Sequence, residues 1–112
     1  PHLFRQLAQN GATVITVPAA FARPTGAAHW ETLLRARAIE NGAFILAPAQ
    51  TGHHGGTRKT HGHSLVVAPW GEVLLDAGTD AGVYFCEIDL SDVQKARARV
   101  PSLGHDRNFD GP

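Results

Sequence analysis

Among 112 residues there is one cysteine, Cys86, so an internal disulfide framework is excluded and a reducing compartment, the cytoplasm, is the expected setting. No run of about eighteen apolar residues is present, which removes a membrane-spanning helix from the readings. Charge of one sign is also missing. Ten Lys and Arg balance ten Asp and Glu, and a protein tracking nucleic-acid phosphates would need a basic excess. No phosphate loop, HExxH, GxSxG or CxxC pattern occurs. The chain opens on Pro1, with no charged segment followed by an apolar one, and its natural beginning is expected to lie upstream. Neither internal repeat nor low-complexity block divides it, so residues 1–112 read as one unit.

What is present is 43% apolar residues in alternating helical and strand patterns, enough for a globular piece. Leu3, Phe4, Leu7 and Ala8 form a helical stripe that stops at Asn10-Gly11. Thr13 to Val17 is a β-branched run bounded by Gly11 and Pro18, as in a strand buried on both faces. Pro24 and Gly26 mark residues 21–26 as a loop. From Ala27 to Asn41 the helical period returns through Trp30, Leu33, Leu34, Arg37, Ala38 and Asn41, with Gly42 as its stop. Arg37 and Asn41 make that stripe polar, as hydrogen-bond networks or a subunit interface would require.

Ala43–Ala49 reads as a second buried strand and Gln50–Gly62 as a polar loop. Ser64–Ala68 and Glu72–Asp76 flank Pro69-Trp70-Gly71 as a hairpin, and Val83–Asp89 reads as a further strand. Ser91 caps a last helix that runs to about Val100 before Pro101, and Ser102–Pro112 reads as an extended polar tail. The predicted class is α/β, a mixed sheet with helices on one face and its other face left for something these residues do not supply.

Chemistry-bearing residues are sparse. Cys86 is the one thiol, but it lies in the apolar run Val83 to Asp89, where a cysteine acts as a small hydrophobe rather than a nucleophile. His53, His54, His61 and His63 match no closed zinc-site spacing, and a polar loop bonding backbone groups accounts for them; no metal is predicted. Glu31, Arg35, Arg37 and Glu40 fit either a solvated helix face or a supporting network at an interface or active site.

Longer segments carry a likeness. Val17-Pro18-Ala19-Ala20-Phe21, then Thr25 to Glu31, Leu33 to Asn41, Ala47-Pro48-Ala49-Gln50, Gly62 to Glu72 and Glu87-Ile88-Asp89-Leu90 follow one another as in the nitrilase superfamily, which this chain resembles over nearly its whole length. The branch it most resembles is that of the Nit-type amidases. His2 departs from the Glu usual there, and Gly42 from the more usual Gln.

The resemblance implies the C-terminal half of an αββα sandwich, in a protein that forms a homodimer or larger homo-oligomer. It implies an amidase cleaving a small linear carboxamide to an acid and ammonia through a cysteine thioester, without metal or organic cofactor. The Glu, Lys and Cys of that chemistry fall upstream of Pro1, so no catalytic residue is assigned within the sequence. By the same resemblance Ala20, Phe21 and Thr25 form a substrate-pocket wall, although packing residues of an ordinary loop would read alike. An N-carbamoyl amino-acid hydrolase and a noncatalytic interaction domain of the same fold are the alternatives.

Overall fold

In the computed structural model, which describes residues 1–107 and 111, the elements run α1 (His2–Gln9), β1 (Val14–Thr16), α2 (Arg23–Asn41), β2 (Phe44–Ala47), β3 (Thr51–His53), β4 (Lys59–His61), β5 (Leu65–Val67), β6 (Val73–Asp76) and α3 (Ser91–Arg99), with a 3-10 turn at Ser102–Gly104. β1, β2, β5 and β6 form one mixed sheet in that order. β1 and β2 are parallel, Ile15 beside Ile45, and α2 is the crossover that parallel pairing demands. β5 and β6 continue the sheet antiparallel, with a bulge at Val66/Val67.

Alternation along the strands divides their side chains between two faces. Ile15, Ile45, Ala47, Leu65 and Val67 pack with Trp30, Leu34 and Ala38 of α2, and Phe4 of α1 joins the edge of that cluster. Phe44 packs with Ala68 and with Val93 of α3 in a second, smaller cluster that Val14, Leu46 and Ile88 border. The Arg97 guanidinium fastens α3 there, donating to the Gly42 carbonyl at 3.0 Å and the Ala12 carbonyl at 2.7 Å, just ahead of β2 and β1.

Several sequence expectations are corrected. Residues 23–26 are helical rather than loop: Pro24 falls in the first turn of α2, where its missing N–H costs nothing, and Gly26 is buried. A Cβ on Gly26 would come 2.3 Å from the His61 Cβ, so glycine there is a close-approach residue and not a helix breaker. Gly42, at φ 52°, does end α2. The expected polar loop at 50–62 holds the two-stranded ribbon β3–β4, paired Gly52 to Thr60.

β1 is an edge strand with Thr16 exposed, not one buried on both faces. Leu3 and Leu7 are exposed, on a side of α1 turned away from its main neighbours among the described residues, α2 and the 3-10 turn. Among the described residues Val83–Asp89 belongs to no ladder and finds no strand to pair with, and Val83 and Phe85 are 82% and 89% exposed. Asp89, rather than Ser91, satisfies the start of α3, its carboxylate accepting from the Ser91 N–H at 2.9 Å. The tail is not simply extended, since the Ser102 hydroxyl donates to the Glu40 carbonyl at 2.8 Å. Residues 108–110 and 112 of that expected tail lie outside the described residues.

Substituting Arg97→Met leaves two carbonyls at the strand starts without their charged donor. The expected loss is about 1–3 kcal/mol, read as a lower urea midpoint with an unchanged slope.

Candidate functional site

The parallel strands β1 and β2 end side by side, the place where open α/β sheets bind ligands. Each ends on the same pattern, Val17-Pro18-Ala19 and Ala47-Pro48-Ala49. Because proline has no N–H, the ladder skips a bond at Pro18 and Pro48. It resumes one residue on: Ala19 N donates to Pro48 O at 3.0 Å, and Gln50 N donates to Ala19 O at 2.9 Å. The two loops stay in register while the chain turns away from the sheet. Between them, with Ser64 and Gly82, lies an open depression of about 570 Å³.

A larger groove, about 840 Å³, lies at the other end of the sheet, beside Phe44 at the start of β2 and Ala68 just after β5. Some of the charges on its walls are already engaged, Lys95 bonded to Asp92 at 2.7 Å and Arg99 stacked 4.0 Å over Trp70. The smaller depression, at the C-terminal ends of the parallel strands, is the stronger candidate on chemical grounds.

Of the residues proposed for a pocket wall, Ala20 lines this depression. Phe21 is turned instead toward Trp30, with ring centroids 5.0 Å apart, and belongs to the packed edge of the core. Thr25 stands in the first turn of α2, its hydroxyl donating to the Ala22 carbonyl at 3.1 Å. Gln50 and Ser64 also line the depression, and sequence reasoning passed over both. The repeated Val/Ala-Pro-Ala pattern was the available signal, because it marks two strands ending at one level.

The wall beside Ser64 is held by a polar cluster. His63 Nδ1 lies 3.0 Å from both Asp76 oxygens, and Asp76 also accepts from Gly78 N at 2.8 Å. The His61 and His63 rings stack at 4.4 Å. Trp30 Nε1 donates to the His63 carbonyl at 2.7 Å. Burial, then repulsion from His63, pushes the His61 imidazole below its ordinary value; Asp76 pulls the other way and Arg23 adds to the lowering. Burial alone would raise the Asp76 carboxyl, but the hydrogen bonds from Gly78 and His63 and the nearby imidazole charges outweigh it and hold the carboxyl low. Among the described residues, no group of three or more His, Cys, Asp or Glu side chains is placed to hold a metal.

The remaining chemistry-bearing residues lie elsewhere. His54 Nε2 meets the Thr60 hydroxyl at 2.7 Å within the ribbon, and His53 is exposed. Arg35 donates to the Gly71 carbonyl at 2.8 Å and reaches Glu31 at 3.3 Å; Arg37 pairs with Glu40 and lies over the Phe4 ring. Cys86 is half-buried on the unpaired segment, its thiol 3.5 Å from the Glu87 carbonyl and outside the depression's lining. No helix among the described residues is long and apolar enough to cross a membrane.

Because His61 protonates at lower pH in the folded chain than in the unfolded one, the unfolded state binds more protons between those two values. Its contribution to stability is therefore complete above about pH 6.5 and declines as the pH falls toward the lower folded value. Asp76 acts in the same direction further down, its contribution being present above the ordinary carboxylate value and lost as the pH falls through the depressed one. The denaturation midpoint of a His61→Gln variant should fall less between about pH 7 and about pH 5 than that of the unaltered protein. An equal fall would dismiss His61 as the titrating group.

Comparison with known proteins places this architecture. The carbon-nitrogen hydrolase family model matches residues 1–98. Deaminated glutathione amidase of Synechocystis sp. is 49% identical over 105 residues, covering 94% of this chain and 39% of that protein. The crystal structure of the Caenorhabditis elegans NitFhit protein superposes with a TM-score of 0.91 at 47% identity, covering 96% of this chain and 26% of the other. A mutant amidase from Nesterenkonia sp. AN1, 31% identical with a TM-score of 0.70 over 90% of this chain and 38% of its own, carries the acetamide moiety of fluoroacetamide covalently on its active-site cysteine. The chain thus spans about two fifths of the length of the first of these relatives.

Proposed function

The chain belongs to the carbon-nitrogen hydrolase family of the nitrilase superfamily, and on that premise we propose that the whole protein is a Nit-type amidase hydrolysing a small linear carboxamide to an acid and ammonia. The observation that carries this reading is the 49% identity to a deaminated glutathione amidase, sustained over 94% of the chain. Residues 1–112 are the C-terminal portion of one catalytic domain, and the Glu, Lys and Cys that act on the amide belong to the preceding portion.

In the reaction, the cysteine thiolate attacks the amide carbon and Lys helps stabilise the resulting oxyanion. Collapse breaks the C–N bond while Glu delivers a proton to the departing ammonia, and water then attacks the thioester to release the acid and regenerate the thiol. The covalent adduct on the active-site cysteine of the Nesterenkonia amidase supports such a nucleophile in this family. Cys86 is not that thiol, since it stands outside the depression. No organic cofactor or metal enters these steps.

Here the contribution of the 112 residues is a wall of the pocket. Ala20 is its contact surface; Phe21, packed on Trp30, fixes the loop that carries Ala20, and Thr25 holds the start of α2 at the rim. The exposed Val83, Tyr84 and Phe85 are apolar surface for the rest of the protein, which we take to be a cytoplasmic homodimer or larger homo-oligomer.

Ammonia release from small ω-amides by the full-length protein tests the reading. Replacing the upstream cysteine by alanine should lower it by a factor on the order of 10⁴ or more, and residues 1–112 alone should release none. A folded full-length protein that holds all three catalytic residues and cleaves no carboxamide would overturn the assignment, and carbamoyl substrates would then be assayed.

A further inference from the structure

The depression at the ends of β1 and β2 has walls of Pro18, Ala19, Ala20, Pro48, Ala49 and Gly82, none of which has a side-chain hydrogen-bonding group. Of the two polar residues that complete it, Ser64 is committed: its hydroxyl oxygen accepts from Ala49 N at 2.8 Å, and its proton points to Ala49 O at 3.4 Å. Gln50 is the other. Its backbone is fixed on both sides, by Gln50 N to Ala19 O at 2.9 Å and by Gly62 N to Gln50 O at 3.2 Å. The next residue is fixed too, Thr51 donating through its hydroxyl to Thr79 O at 2.6 Å. The Gln50 carboxamide, by contrast, bonds to no described residue, and the residue is exposed.

A mostly apolar pocket fixes the orientation of its ligand through a few placed polar groups. Resting on the amidase reading, we infer that Gln50 is a specificity-determining residue whose amide N–H donates to a hydrogen-bond acceptor at the substrate end remote from the scissile amide. A carboxylate or a carbonyl there meets a donor on a braced backbone, while the apolar walls take the intervening methylenes. A substrate ending in a methyl group leaves that donor unmatched and gains nothing from it.

The test compares two four-carbon amides that differ only at that end, succinamate with a carboxylate and butyramide with a methyl group, on the full-length enzyme. The unaltered enzyme should prefer succinamate. Gln50→Ala should lower kcat/KM for succinamate by about 10- to 100-fold, mainly through KM, and for butyramide by less than about 2-fold. Gln50→Glu, which sets a carboxylate against the substrate's own, should lower the succinamate value further. Equal effects of Gln50→Ala on the two amides, or a wild-type enzyme with no preference for succinamate, would overturn this inference and leave the amidase reading standing. A wild-type enzyme that cleaves neither these nor any other carboxamide would overturn both.

Discussion

A buried indole sets the terms for the rest of the structure. Trp30 is 2% exposed, so its N–H has to be matched inside the protein, and the carbonyl of His63 does so at 2.7 Å. That one bond joins the middle of α2 to the backbone just ahead of β5. To present its carbonyl, His63 adopts φ 55°, a conformation an L residue takes at a cost of about 1–3 kcal/mol. The offset comes from its neighbours: the His63 N–H donates to Gly78 O, and its ring bonds Asp76 and stacks on His61. Phe21 packs against the indole in a tilted arrangement. Thus the packing of one helix on the sheet also places the segments that border the depression, Ala20 next to Phe21 and Ser64 next to His63.

The two ends of the sheet are consequently unlike. At the N-terminal ends of β1 and β2, Arg97 and the Phe44 cluster tie α3 to the strands, leaving little there to rearrange. At the C-terminal ends, Pro18 and Pro48 interrupt the ladder and let the chains diverge around an open space. Pairing that resumes at Ala19 and Ala49 keeps this opening from becoming slack. A braced wall with one uncommitted polar side chain, Gln50, suits a binding surface, because the ordering has already been done by the fold.

How much of this could be read in the sequence follows from the kind of force responsible. The α2 stripe and its Gly42 stop, the buried β2 run and the Pro69-Trp70-Gly71 hairpin are local patterns, and the structure has them at nearly those residues. The start of α2 was misread because Pro24 and Gly26 are breakers by propensity alone. Tertiary contact decides otherwise, since only glycine lets His61 approach the helix. The β3–β4 ribbon has no apolar alternation to announce it, being joined by cross-strand bonds in a His- and Gly-rich segment. Resemblance pointed to Ala20, Phe21 and Thr25, of which Ala20 alone borders the depression, and Gln50 stood only as part of a matching segment. That its side chain is uncommitted is a fact about which other groups have found partners, and no local pattern holds it.

Val83–Asp89 shows the same limit from the opposite side. Its composition is that of a strand, yet a strand exists only where another backbone completes its hydrogen bonds, and the described residues offer none. The consequence is visible in the overall dimensions. The radius of gyration is 15.5 Å and the thinnest extent 20 Å, where a compact chain of this length would have a radius near about 13 Å. A helix layer on one sheet is about as thick as that thin dimension, since layers pack about 10 Å apart. Val14, Leu46, Val66 and Leu75 are only half-buried, and Val83 and Phe85 project into solvent. In the Synechocystis amidase the matched region is 39% of the chain, so most of that protein is available to cover the corresponding surfaces. The depression and the half-covered face belong to the same strands: β1 and β2 border the first at their C-terminal ends and leave Val14 and Leu46 only half-buried on the second.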